Sequence, residues 1–66
     1  MIVRREKKWG DLLLLSDDGR TLASLRTDGK VFLDRGMFGT EEVDGSAKDV
    51  IAALMLEKEA LGMVAR

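Results

Sequence analysis

The sequence predicts an α+β fold, a three- or four-stranded antiparallel β-meander with one C-terminal α-helix packed on one sheet face. Asp-Gly occurs twice between strand-like segments, at Asp18-Gly19 and Asp28-Gly29. Beyond residue 46, apolar residues recur at the spacing of an α-helix. With 66 residues, 45% of them hydrophobic and 35% charged, the chain is expected to fold as a single small domain covering residues 1–66.

The N-terminal segment predicts the first strand. Its sequence, IVRREKKW, is basic and is expected to bend at Gly10 into the next strand. The next segment contains four consecutive leucines, Leu12–Leu15. Successive side chains of a strand point to opposite faces, so this pattern predicts a strand that is covered on both sides.

The two Asp-Gly dipeptides predict two successive β-hairpins. The segments 15–22 and 25–32 share the pattern Leu-x-x-Asp-Gly-basic-x-apolar, and Asp-Gly between strand-like runs is a strong hairpin signal. A two-residue loop would pair Leu15 with Leu22, whereas a type I turn with a glycine bulge would pair it with Thr21. A one-residue shift moves every side chain to the other face. We favour the bulge register, because type I turns prefer Asp just before Gly.

In the bulge register the sheet has two unlike faces. One face is wholly apolar and is expected to contribute the sheet side of the core, with residues Leu13, Leu15, Ala23, Leu25, Val31 and Leu33. The other face is mixed, and its large apolar residues are Leu12, Leu14, Leu22 and Phe32.

The C-terminal segment predicts a helix across the apolar face. Ser46 is the expected N-cap, with Asp49 as its capping-box partner, and Gly62 is the expected C-terminal cap. One broad stripe at helical spacing is expected to pack on the sheet, and its members are Val50, Ile51, Leu54, Met55 and Leu61. On the rear of the helix lie Ala52 and Leu56, with Met63 beyond the cap. The acidic residues 41–49 are interpreted as the approach to this helix.

The apolar surface predicts self-association. A chain of this size buries little surface, and the absence of Cys excludes disulfides as extra support. One helix cannot cover both faces of the sheet, so the chain is expected to bind itself, as a homodimer, or another protein. The expected contact surface is the mixed sheet face with two extensions, namely Leu12, Leu14, Leu22, Phe32, Met37, Phe38 and Leu56. For Met37 and Phe38 a loop tucked over the sheet end is the more common arrangement, and an exposed anchor for a partner is the other.

Composition argues against catalysis and against cofactors. The chain has no His to activate its serines, which removes the commonest acid–base catalyst and a common metal ligand. The acidic stretches lack the spacing of a calcium loop, and the glycines at 39 and 45 lack that of a phosphate-binding loop. We therefore expect a non-enzymatic protein with no catalytic residues, metal, cofactor or small-molecule substrate. By its size it resembles accessory proteins of bacteria and phages.

Charge and hydropathy predict the cellular setting. The longest apolar run has four residues, and charges stand where a signal peptide would need an apolar region. We expect a cytoplasmic protein that does not bind membranes. Its net charge of −1 gives no overall attraction to anionic partners.

Nucleic-acid binding is the alternative function. The N-terminal segment places positive charge beside a stacking aromatic side chain, with Arg4, Arg5, Lys7, Lys8 and Trp9 as candidate contacts. The competing interpretation is a sheet edge whose charges prevent aggregation.

Overall fold

A computed structural model describes residues 1–62 of the chain. These residues form a five-stranded antiparallel sheet followed by one helix, with a 3₁₀ turn at Gly36–Phe38 between the last two strands. The elements are β1 (Ile2–Arg5), β2 (Leu12–Leu15), β3 (Thr21–Leu25), β4 (Val31–Asp34), β5 (Thr40–Val43) and α1 (Gly45–Ala60). Each strand pairs with the next along the chain, so the sheet is a meander. The α+β class is confirmed, and β5 is a strand beyond the three or four predicted.

The two Asp-Gly hairpins have the same backbone geometry. The N–H of Ser16 donates to the carbonyl oxygen of Arg20 at 2.8 Å, and the N–H of Gly19 donates to that of Ser16 at 3.0 Å. The hairpin at Arg26–Lys30 repeats both hydrogen bonds. Gly19 has φ = 88° and Gly29 has φ = 90°, in the left-handed region that suits a glycine bulge.

The predicted turn register is confirmed at both hairpins. Leu15 lies opposite Thr21 in the first, and Leu25 lies opposite Val31 in the second. Ala23, Leu25, Val31 and Leu33 therefore share one face, as the sequence predicted.

The faces of β2 are reversed relative to the prediction. Leu14 lies opposite Ala23 while its neighbour Leu15 lies opposite Thr21, so Leu22 is an extra residue on β3. This irregularity turns Leu12 and Leu14 towards the helix and Leu13 and Leu15 away from it. The prediction that Leu12 and Leu14 lie on the face away from the helix is therefore wrong.

The core lies between the sheet and α1. Leu12 and Met55 are both fully buried in it, and Ile51 and Ala52 pack against its margin. Its buried members are Val3, Leu12, Leu14, Ala23, Leu25, Val31 and Met55.

Only part of the predicted helix stripe faces the sheet. Met55 is at its centre, whereas Val50, Leu54 and Leu61 are 66%, 45% and 69% exposed. Their predicted core positions are wrong, because α1 is rotated about its axis so that Ala52 faces the sheet in their place.

The ends of α1 differ in how well they were predicted. The N-cap is Asp44 rather than Ser46, and neither the predicted cap nor its partner Asp49 closes a capping box there. At the other end Leu61 is the C-cap. Gly62 follows with φ = 81°, and its N–H donates to the carbonyl oxygen of Glu59 at 3.1 Å. Gly62 therefore takes the terminating role predicted for it. Met63 lies outside the described residues.

Candidate protein-interaction surface

The predicted interface residues do not form one surface. Leu12 and Leu14 are 0% and 9% exposed in the core and offer nothing to a partner. Leu22 and Phe32 are half-buried. Leu56, Met37 and Phe38 are exposed, but they lie on separate elements.

The sheet face away from α1 is partly covered by its own side chains. A row of cross-strand neighbours runs across all five strands of this face, in the order Arg4, Leu13, Ser24, Phe32, Glu42. The guanidinium of Arg26 lies 4.6 Å from the centre of the Phe32 ring. Because this cation–π contact covers the ring, Phe32 is a weaker apolar contact than predicted.

The loop Met37–Phe38 is an ordered turn with both side chains in solvent. They are 93% and 86% exposed, so the tucked alternative is not what the structure has. Two side-chain contacts support the backbone hydrogen bonds of the turn. The Asp34 carboxylate accepts a hydrogen bond from the N–H of Gly36 at 2.7 Å, and the guanidinium of Arg35 lies 2.5 Å from the Glu41 carboxylate.

A stripe of exposed apolar residues lies along α1 and its C-cap. Val50, Leu54 and Leu61 project from the same side of the helix, because steps of four and seven residues return to one side. We call these three residues together with Ala47 the α1 flank. Ala47, Val50, Leu54, Glu57 and Leu61 alternate in steps of three and four, the spacing at which helices pair side by side. The helical spacing of Val50, Leu54 and Leu61 is evident in the sequence, but these residues were predicted to lie in the core.

Leu56 lies on the opposite side of the helix from the α1 flank. Two residues further along a helix than Leu54 correspond to a rotation of about 200°. The two leucines are similarly exposed, at 45% for Leu54 and 48% for Leu56. The same substitution at Leu54 and at Leu56 therefore compares the two sides of the helix.

The predicted nucleic-acid set is divided by the fold. Arg4 lies on the face away from α1, whereas Arg5 faces the helix. Nε of Arg5 donates to Oε2 of Glu59 at 3.0 Å, Nη2 donates to Oε1 at 2.5 Å, and Nη1 donates to the carbonyl oxygen of Gly10 at 2.9 Å. Arg5 thus joins the helix to β1, and few of its N–H groups remain to donate a hydrogen bond to a phosphate.

The rest of that set lies in the β1–β2 turn. Nζ of Lys8 is 5.1 Å from the centre of the Trp9 ring, which is 64% exposed. Trp9 also borders a shallow cleft of about 340 Å³ at the hairpin ends, together with Asp11, Arg26, Thr27 and Asp28. The two carboxylates beside this cleft disfavour phosphate.

The acidic turn residues have structural partners. The Asp18 carboxylate accepts hydrogen bonds from Oγ of Ser16 and from the N–H of Arg20. These bonds, with the Ser16 contact first, hold the pKa of Asp18 below its ordinary value. Within residues 1–62, no three acidic side chains lie close enough together to hold a metal ion.

Comparison with known proteins gives no assignment. No protein-family model, curated protein or solved structure matches this chain. In the described part of the chain, no helix combines the length and the apolar character that crossing a membrane requires.

Proposed function

We propose that this chain is a non-enzymatic protein-interaction module that forms a homodimer, with the α1 flank of one copy packed against that of another. The observation that carries the proposal is the exposure of Val50 and Leu54 in one stripe of α1, with Leu61 exposed at its C-cap. Large apolar side chains that stay exposed together on a folded domain are typical of contact surfaces.

The residues beside the flank suit close helix pairing. Ala53 lies about 60° round the helix from Val50 on the solvent side, and it is small and exposed. In an antiparallel two-fold arrangement, Val50 of each copy would lie opposite Leu54 of the other. Glu57 would then lie opposite the small Ala47, at the end of the contact, where its carboxylate stays in water.

The expected affinity is modest. In that arrangement Leu61 lies beyond the end of the contact. Burying the exposed parts of Val50 and Leu54 on two copies would contribute on the order of 5 kcal/mol. Association costs about 4–15 kcal/mol in lost freedom of motion. The flank alone therefore supports a weak dimer, and Met37–Phe38 is a second apolar contact that would extend it or receive a different protein.

The test compares Leu54→Asp with Leu56→Asp by sedimentation velocity, from low micromolar to near-millimolar protein, at high salt where attraction between exposed charges is screened. We expect the unmodified chain and Leu56→Asp to dimerise as concentration rises. Leu54→Asp should remain monomeric, because the dimer would bury its carboxylate without a partner. Circular dichroism verifies that both variants are folded.

Two results would overturn the proposed contact. One is an unmodified chain that remains monomeric throughout the concentration range. The other is the reverse pattern, in which Leu56→Asp loses the dimer and Leu54→Asp keeps it, since this would place the contact on the opposite side of α1.

Nucleic-acid binding is a second candidate, favoured by the exposed Trp9 ring next to Lys7 and Lys8. Lys8 lies over one face of the Trp9 ring, so a base could stack on the other face while the two lysines approach phosphates. Affinity for a single-stranded oligonucleotide should then fall steeply with salt, and Lys7→Gln with Lys8→Gln should flatten that dependence. An oligonucleotide affinity that these changes leave untouched would eliminate this candidate.

A further inference from the structure

The two edges of the sheet carry charges of opposite sign. β1 is an edge strand and contains Arg4 and Arg5, whereas β5 is the other edge and contains Glu41 and Glu42. Every second residue of an edge strand directs its N–H and C=O away from the sheet, which leaves groups that another strand could pair with.

The charges restrict which strands can pair. Two copies of β1 would bring arginines together and two copies of β5 would bring glutamates together, and like charges on neighbouring strands are destabilising. Charge on the edges is therefore a barrier to symmetric pairing. It is no barrier to pairing β5 of one copy with β1 of another.

Among residues 1–62, one charged residue on each edge strand takes no part in an ion pair. Arg5 is paired with Glu59, and Glu41 is paired with Arg35. Arg4 and Glu42 take part in none of the ion pairs formed among residues 1–62. Both are exposed, and they are the two ends of the row of cross-strand neighbours on the face away from α1.

We propose that β5 of one copy binds β1 of a second copy, which continues the sheet and brings Glu42 beside Arg4 of that copy. β1 and β5 run in the same direction, because all four strand pairings between them are antiparallel. The new pairing is parallel and keeps the helices of both copies on one side. It is head-to-tail, so it produces open chains rather than a closed dimer. It does not use the α1 flank.

The test uses charge reversal at both ends of the row. Arg4→Glu and Glu42→Arg are each measured alone, as an equimolar mixture, and combined in one chain. The readout is the average mass by sedimentation equilibrium at low salt, where exposed charges are least screened. Lys7→Glu gives the same change in net charge as Arg4→Glu from the β1–β2 turn and serves as its control. The series is repeated with Leu54→Asp, which separates this contact from dimerisation through α1.

We expect the unmodified chain and Lys7→Glu to form species larger than a dimer at high concentration. Each single reversal should weaken this growth roughly fivefold, because an exposed attraction becomes a repulsion. The mixture should restore growth, since the arginine introduced on β5 of one variant then meets the glutamate introduced on β1 of the other. The doubly reversed chain should restore growth alone. Mass that never exceeds a dimer, or a mixture that stays as weak as its components, would overturn the proposal.

Discussion

At the scale of single residues, Met55 does most to fix α1 on the sheet. It is fully buried, and the core cluster includes it as the helix contribution. Met55→Ala should lower the free energy of unfolding by about 2–5 kcal/mol, through lost burial and the cavity it leaves. Urea denaturation at low protein concentration measures this. Met37→Ala removes the same side chain from a position that is 93% exposed, and its effect should stay within about 0.5 kcal/mol. Equal losses in the two variants would contradict the packing described.

Asp18 provides a residue-scale prediction for pH. Its pKa is lowered by the hydrogen bond from Ser16 and then by that from the N–H of Arg20. A carboxyl whose folded pKa is depressed stabilises the fold above its unfolded pKa, and this stabilisation is lost as pH falls through the folded value. Ser16→Ala should raise the pKa of Asp18 towards its ordinary value, as followed by carboxyl-carbon NMR. A pKa that stays depressed in the variant would show that the Ser16 hydroxyl is not its main cause.

The misplacement of Leu12 and Leu14 also has its cause in one residue. The type of turn at Asp18-Gly19 could be predicted from the sequence, and it correctly gave the pairing of Leu15 with Thr21. The bulge at Leu22 could not be predicted, because an apolar residue fits a strand whether or not the strand bulges at that position. With leucine at every position of β2, the hydrophobic pattern cannot distinguish one face from the other.

At the scale of elements, the sequence predicted the inner strands of the sheet better than the edge strand β5. β2, β3 and β4 have apolar runs and Asp-Gly turns that announce them. β5 was missed because Thr40–Val43 contains two glutamates and has little of the apolar character that marks a buried strand. Its exposure at the sheet edge makes that composition tolerable.

The side of α1 that faces the sheet could not be predicted from the apolar pattern either. Apolar side chains occur on several sides of the helix, since Ile51, Leu54 and Leu56 lie in different directions. Lys58 and Glu59 on the inward side are half-buried. Their stems can cover apolar surface while the charged ends reach water or a partner. A charged residue on the core side removes the contrast on which a helical prediction depends.

The ion pair between Arg5 and Glu59 links two elements that are distant in sequence. A double-mutant cycle with Arg5→Gln and Glu59→Gln should give a coupling of about 0.2–1 kcal/mol, as for partly exposed pairs. It should weaken as salt is added. The same cycle with Arg4→Gln should give no coupling, because Arg4 lies on the other face. Equal coupling for both arginines would contradict the geometry of β1 and α1.

At the scale of the whole molecule, the sheet and helix leave unequal surfaces. One sheet face is covered by α1, and the other is partly covered by Arg26 and neighbouring side chains. The exposed apolar residues lie instead on the outer helix and at the Met37–Phe38 turn. The sequence predicted the excess apolar surface on the mixed sheet face, but Leu12 and Leu14 are buried in the core. The large exposed residues of the α1 flank are ones predicted to lie in the core. The position of the exposed apolar surface follows from the bulge on β3 and the rotation of α1, which no local pattern specified.

The most direct measurement is the distance between two copies at α1. The chain has no Cys, so Ala53→Cys provides a single attachment point for a spin label on the solvent side of α1, between the α1 flank and Leu56, and Asp28→Cys provides one at a remote hairpin tip. Labels at position 53 should come close enough in the dimer to broaden each other's spectra as concentration rises, while labels at position 28 should not. Spectra at position 53 that stay sharp at concentrations where the chain is dimeric would contradict pairing through the α1 flank.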